Sequence, residues 1–441
     1  MTKVALYDLS KIDASKREEL LRRAEDDLTP FMEKIAPIIE AVRLEGDTAL
    51  VRFAEQFDGA KFDASTIGAS DADFDAAYEA LDDEFIEVLR YSADNIRRFH
   101  EKQMPELTWT MEIRPGAQVG ERFTPIDSVA CYSPRGKGSF PSVTLMSVIP
   151  AIVAGVKEVI VLTPTGADGK IDPATLVAAD IAGTRKVFKA GGAQAVAAAA
   201  YGTETIPKCV KIEGPGSPWL AAAKVMLANR IDPGMPAGPS EAIIFADNTA
   251  NADLAALDTI IESEHGGDSS VFLITSCPKL AEQARAKIPE YWAEMSAERA
   301  GYSSAVLNST SGGIILCEND EQAYGFINDY APEHLQILSQ NPRQHLDHIR
   351  NASEILLGQD TPGSIANYMM GPNCVLPTSG AAKTRSPLGV MNFLKACSIG
   401  ELTREGFQEM GPKTALFATY EGFDAHANAV GKLRKKALSN N

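Results

Sequence analysis

The sequence predicts an α/β protein with two parallel-sheet layers, flanked by helical N-terminal and C-terminal segments. Three observations carry that expectation. From Ser128 onward short apolar runs alternate with helical sequence, the pattern of crossover units and a parallel sheet. The runs form two sets, SVACY, EVIVLTP, KVFKAGG and VKIEGPG, then AIIFA, SSVFLIT, GGIILCE, HLQIL and SEILLG, with a seam near Ala237. Finally, 441 residues exceed what one hydrophobic core accommodates.

The first hundred residues read as helices. Thr29 and Pro30 suit an N-cap and first helical position, Ile35, Ile38, Ile39 and Val42 share a stripe, and Gly46 ends the segment. Asp47 suits the next cap, and a longer amphipathic helix follows from about Ala72 to Glu101. Around Pro115 and Gly116, alternating segments predict a hairpin; SVACY then leads into the loop PRGKGS. Beyond Gly358 the chain is loop-rich, then helical to the end, with Asp424 expected as the cap of a final helix bearing His426. The expected segments are a helical part over 1–108, α/β layers over 109–237 and 238–376, and a helical tail over 377–441.

Composition excludes several classes of function. A formal charge of −17 repels nucleic acid and anionic membranes, and the cluster Lys432, Arg434, Lys435 and Lys436 suits a helix C-terminus. The N-terminus lacks the apolar stretch of a secretory signal and no run reaches membrane-spanning length, so a cytoplasmic protein is expected. Six scattered cysteines without a CxxC pair indicate neither a disulfide framework nor a zinc ribbon.

Chemistry concentrates after AIIFA. A helix capped by Asn251 or Asp253 should end at Glu262 and His265, three apart and able to converge on one ion before Gly266 and Gly267 stop it. His334 stands beside Glu333 in YAPEHLQIL, where Pro332 can fix a turn that aims both at a cleft, and His426 follows Glu421 and Asp424. On spacing alone, a zinc or acid/base site and three unrelated element ends both remain open. His100, His345 and His348 read as surface residues in charged helical surroundings. KAGGAQ is similar to a dinucleotide turn, with Glu213 near the spacing of a ribose-binding acid, although close strand–helix packing accounts for Gly191 and Gly192 equally well. PRGKGS could cradle a phosphate or sulfonate with Arg135 and Lys137, or be a solvated loop.

Taken together and in order, GGAQAVAAAAYGTE, IEGPG, MPAGPSE, ESEHGGDSS, APEHL, PNCVLPT and EGFDAHANAV resemble the histidinol dehydrogenase family from Ser128 to the C-terminus. The resemblance implies two Rossmann-like domains without the usual dinucleotide fingerprint, and a homodimer in which one chain's tail completes the other's active site. It also implies oxidation of an amino alcohol to a carboxylate, through an aldehyde, with two NAD molecules and one Zn2+. On that pattern His334 is the general base and Glu333 activates water; Glu262, His265, Asn367 and His426 are zinc ligands that also face substrate. Ser240, Cys374 and Glu421 fall at substrate positions, and Tyr132, Gln194 and Ser217 where NAD is held.

Several positions depart from the family pattern. Glu262 stands for a glutamine and Asn367 for an aspartate, so one carboxylate and one amide are exchanged at equal charge. Metal is therefore expected to be retained, held more tightly through Glu262. Cys374 stands for a histidine, Ser217 for an asparagine, and PRGKG for a Gly-Gly loop, all on the recognition side. These changes leave open a paralogue acting on an anionic alcohol, sulfonate- or phosphate-bearing, with Arg135 and Lys137 as its partners. Outside the dehydrogenase class, a zinc hydrolase and a non-catalytic binding protein remain as alternatives.

Overall fold

The computed structural model describes residues 4–23, 28–135 and 138–439, with side chains to residue 437. They fall into two compact units, one of Met1–Gln103 and Ile126–Phe393, the other of Met104–Pro125 and Leu394–Asn441. In chain order the strands are β1 (Leu6–Asp8), β2 (Thr108–Arg114), β3 (Ala117–Pro125), β4 (Ser128–Tyr132), β5 (Glu158–Thr163), β6 (Val187–Lys189), β7 (Lys211–Glu213), β8 (Glu241–Ala246), β9 (Ser270–Thr275), β10 (Gly312–Leu316), β11 (His334–Leu338), β12 (Glu354–Leu357) and β13 (Leu394–Leu402).

The first unit holds two parallel sheets. One has the order β6-β5-β4-β7, the other β1-β10-β9-β8-β11-β12. Parallel neighbours need long crossovers, and helices placed there cover both faces of a sheet. That explains why β8 and β9 are apolar without alternation and buried at all six positions each. Successive side chains still point to opposite faces. Ala242, Ile244, Val271 and Leu273 join one core, whereas Ile243, Phe245, Phe272 and Ile274 join the other. In the first sheet the alanine-rich helix Gly192–Tyr201 packs with Ile35, Ile39, Val42 and Leu220; its small side chains let these helices approach closely.

The second unit is a three-stranded antiparallel sheet, β13-β3-β2, with helices Arg404–Tyr420, Asp424–Val430 and Lys432–Ser439. The expected hairpin forms β2 and β3, with Gly116 at φ +72° in its turn, where a side chain would also strike Thr403.

Some elements differ from the sequence reading. Leu6–Asp8, read within a helical region, is an edge strand on β10, and Leu394–Leu402, read as helical, pairs with β3 over nine positions. A three-residue strand is too short to show alternation, and β13 is largely exposed, so neither has a clear apolar signature. The expected helix over 72–101 is two, Asp71–Ala80 and Asp83–Gln103. Leu28, Gly46 and Phe423 occupy the N-cap positions assigned to Thr29, Asp47 and Asp424. Asp47 instead binds the Thr205 hydroxyl at 2.5 Å. Among the described residues no helix is long and apolar enough to cross a membrane.

Candidate active site

Strand order brings the chemistry together. β9, β8, β11 and β12 are consecutive neighbours, and each begins at a polar group: the turn Glu262–Ser269 before β9, Ser240 before β8, Glu333 and His334 at β11, Glu354 at β12. These starts form the amino edge of the larger sheet. Facing them across a cavity of about 550 Å³ are Pro134, Arg135 and Pro215–Ser217, which follow β4 and β7 at the carboxyl edge of the smaller sheet. Open α/β sheets usually bind ligands at carboxyl edges; here one edge of each kind shares a cavity.

Asn251 caps the helix Ala252–Ile261 by accepting from the Asp253 and Leu254 N–H groups, as expected. The helix then tightens into a 3₁₀ turn, Glu262–Glu264, that brings Glu262 and His265 together. His265 Nδ1 lies 3.1 Å from Glu262 Oε2 and 2.7 Å from Ser240 Oγ. Asn367, in the short helix Gly363–Tyr368, donates Nδ2 to Glu262 Oε1 at 2.7 Å. Apart from that His265 contact, Glu262 Oε2 accepts no hydrogen bond, and Asn367 Oδ1, equally buried, accepts none at all. Buried oxygens are normally paired, so two under-paired acceptors beside an imidazole form a corner chemically suited to a cation. Among the described residues no three His, Cys, Asp or Glu side chains converge as a metal cluster. The corner contributes one carboxylate, one imidazole and one amide oxygen.

Beside it lie Glu333 and His334, both buried. Pro332 and the left-handed Ala331, at φ +53°, set the turn that delivers them. Glu333 Oε2 accepts from the Glu241 N–H at 2.9 Å, and Glu333 Oε1 lies 3.8 Å from His334 Nε2. His334 Nδ1 lies 2.8 Å from Glu354 Oε2. Burial pushes the Glu333 carboxyl up to about 8, against the pull of His334. For His334 burial disfavours the cation, yet Glu262, Glu333 and Glu354 outweigh it and raise the imidazole to about 10. Burial likewise opposes ionisation of Glu262, but His334, His265 and the Asn367 hydrogen bond prevail and keep its carboxyl low. Three carboxylates, Glu262, Glu333 and Glu354, thus surround one imidazole.

Ser240, Cys374, Ser217 and Arg135 line the same cavity. Tyr132 and Gln194 do not; they are buried at the N-terminus of the helix Gly192–Tyr201, where the Tyr132 hydroxyl accepts from the Gly192 N–H at 3.1 Å. A groove of about 460 Å³ runs along the carboxyl edge of the smaller sheet, lined by Asp58, Arg135, Ser139, Thr165 and Asp172, and the buried Thr165 hydroxyl has no partner. Lys137 lies outside the described residues. Glu421 and His426 belong to the second unit, where they line a pocket with Lys413, Phe417 and Phe423. Gly422, at φ +80°, breaks the helix between them, as their five-residue spacing requires.

Three expectations are corrected here. Glu213 is fully buried, 3.2 Å from Lys211, and faces no cofactor groove. His100 and His345 are buried as well; His100 Nδ1 meets the Ile96 carbonyl at 2.7 Å and His345 Nδ1 the Tyr324 hydroxyl at 2.6 Å. Only His348 of that trio is partly exposed. Glu354 and Glu241, not among the candidate residues above, carry a legible signal: a charge opening a strand that is otherwise largely apolar.

Fold and cavity define a two-sheet α/β protein with a buried carboxylate–imidazole centre beside a corner of one carboxylate, one imidazole and one amide oxygen. Comparison with known proteins narrows this class. The family model for histidinol dehydrogenase matches residues 21–434. A histidinol dehydrogenase homolog of Colwellia psychrerythraea is 57% identical over 99% of this chain and 98% of its own. A histidinol dehydrogenase of Synechocystis is 43% identical over 96% of this chain and 98% of its own. The crystal structure of histidinol dehydrogenase from Elizabethkingia anophelis superposes with a TM-score of 0.92 at 32% identity, covering 99% of each chain. The chain belongs to the histidinol dehydrogenase family.

Proposed function

We propose that this chain is a zinc- and NAD-dependent dehydrogenase that oxidises histidinol, or a related small polar alcohol, through the aldehyde to the carboxylate. The observation that carries the proposal is the two under-paired buried oxygens, Glu262 Oε2 and Asn367 Oδ1, in the cavity that also holds His334 and Glu333. Glu262, His265 and Asn367 would hold the metal, and His426 of a second copy would supply the fourth donor that a tetrahedral ion needs. Tyr132, Gln194 and Ser217 would hold the dinucleotide along the carboxyl edge of the smaller sheet, where the unpartnered Thr165 hydroxyl supports a polar ligand. When bound, zinc supplies positive charge that stabilises an alkoxide and offsets the surrounding carboxylates, and NAD supplies the hydride acceptor.

The chain's own residues then have defined tasks. His334 presents Nε2 to the cavity, because Nδ1 is engaged by Glu354; with zinc charge offsetting the carboxylates that otherwise keep the ring protonated, that nitrogen would take the substrate hydroxyl proton as the alcohol gives up a hydride. For the second oxidation Glu333, 3.8 Å from His334, would orient a water that adds across the aldehyde carbonyl; the resulting hydrate would give its carbon-bound hydrogen as hydride to a second NAD and a hydroxyl proton to His334, leaving the carboxylic acid. Ser240 holds His265 and faces substrate; Glu421 of the second copy would close the pocket.

A specific observation favours a second reading in which the alcohol is anionic. Arg135 lines the cavity, and Cys374 stands where the family has histidine, so one charge is added and one imidazole lost on the recognition side. The test is NAD reduction by the zinc-loaded protein with histidinol beside a panel of sulfonate- and phosphate-bearing alcohols. Histidinol turnover with two NADH per product supports the first reading, and turnover of an anionic alcohol alone supports the second. Silence on every alcohol overturns both, in favour of a zinc hydrolase or a binding protein.

A further inference from the structure

We infer that Glu354 is a positioning residue that acts through His334 and is itself held by Cys374. The inference deepens the proposed dehydrogenase reading and rests on it for its kinetic consequence. β11 and β12 pair in parallel with His334 directly opposite Glu354, so the two side chains stand as neighbours on one face of the sheet. Glu354 Oε2 lies 2.8 Å from His334 Nδ1, and both residues are buried. Its other oxygen, Oε1, lies 3.8 Å from Cys374 Sγ, within range of a thiol donor. Glu354 is not among the residues that line the cavity, whereas His334 and Cys374 are.

A buried carboxylate at the first position of the strand EILL is unfavourable unless it is paired. Its pairing here has a directional result. A carboxylate at Nδ1 makes that nitrogen the proton donor and holds the ring plane, which leaves Nε2 as the nitrogen that exchanges protons with a ligand. Cys374 thereby also acquires a function: its S–H, which faces both Glu354 Oε1 at 3.8 Å and the Pro372 carbonyl at 4.0 Å, favours the orientation that keeps Glu354 on His334 rather than toward the cavity. Glu354 and Cys374 form one unit with His334.

The test uses full-length, zinc-loaded protein labelled with ¹⁵N-histidine. With Glu354 in place, one histidine Nδ1 proton should resonate far downfield, as expected for an imidazole N–H on a carboxylate. It should vanish in His334→Gln, vanish in Glu354→Ala, and move upfield in the isosteric Glu354→Gln, which keeps the fold if alanine does not. In turnover of whichever alcohol the parent oxidises, Glu354→Gln should lower kcat roughly 10- to 100-fold with a much smaller change in KM. Cys374→Val, which removes the donor, should lose more of kcat than Cys374→Ser, which keeps one. If the proton signal is missing in the parent or survives in both Glu354 variants, or if KM rather than kcat absorbs the loss, the inference is overturned. A parent that oxidises no alcohol refutes the dehydrogenase reading instead, and the proton signal then decides the positioning contact by itself.

Discussion

Replacing Arg23 by methionine tests the buried support behind the site. Arg23 Nε lies 3.0 Å from Glu241 Oε1, with the two side chains only 6% and 4% exposed. The guanidinium stacks 3.3 Å from the Tyr330 ring centroid and donates to the Tyr330 carbonyl at 2.7 Å. Without the cation, Glu241 retains the Ser379 N–H at 2.8 Å and little else to offset its burial. Removing one partner of such a pair costs about 3–5 kcal/mol, whereas replacing both with uncharged groups restores much of the loss. Arg23→Met is therefore expected to lose about 3–5 kcal/mol at pH 8 in urea unfolding, and less as pH falls, because burial raises the Glu241 carboxyl. Arg23→Met/Glu241→Gln should recover at least about half of that. Because the Glu241 N–H anchors Glu333, activity should fall and recover in parallel. A single variant within about 1 kcal/mol of the parent, or a double variant no better than the single, would refute the reasoning, since a solvated ion pair behaves in that way.

Three further outcomes are expected. Asp258, buried and accepting from Gln336 Nε2 at 2.7 Å, has its carboxyl pushed up to about 6 by burial. The folded pKa then exceeds the unfolded value of about 3.9, so its contribution is complete below about pH 4 and is lost as pH rises through about 6, up to roughly 3 kcal/mol. Asp258→Asn should flatten that part of the stability–pH profile measured by urea unfolding, and an unchanged slope would refute the assignment. Glu262→Gln should weaken zinc binding by at least the roughly 10- to 100-fold that loss of an outer hydrogen-bond partner causes. Elemental analysis after dialysis against graded chelator checks this, and Glu262→Gln/Asn367→Asp should restore retention. Finally, His334→Ala and His426→Ala, each inactive alone, should regain about a quarter of parental activity when unfolded and refolded together, because half of a random mixture is heterodimer with one intact site of two. No recovery would mean that both histidines serve the same chain's site.

How much was legible follows from the range of each signal. The strands β8 to β12 and the helix ending at Glu262 are local features: apolar runs of strand length, an Asn251 cap and a Gly-Gly stop can be read within a window of a few residues. Glu262, His265, Glu333 and His334 were visible because each sits where such an element begins or ends. The very short β1 and the exposed β13 lack a buried stripe, and their pairing partners, β10 and β3, lie hundreds of residues away.

The sequence by itself determined the α/β class, the two sets of parallel strands, the family and the residues that could carry chemistry, because hydrophobic period, capping and motif order are properties of neighbours along the chain. Only the tertiary structure decided which of those residues meet. The order β9-β8-β11-β12 sets four strand starts side by side, register places Glu354 against His334, and helix 363–368 lays Asn367 on Glu262. Those contacts join positions 20 to 105 residues apart. Burial then strengthens the interaction between these carboxylates and the imidazole, and burial is a property of the folded whole that no local stretch of sequence specifies.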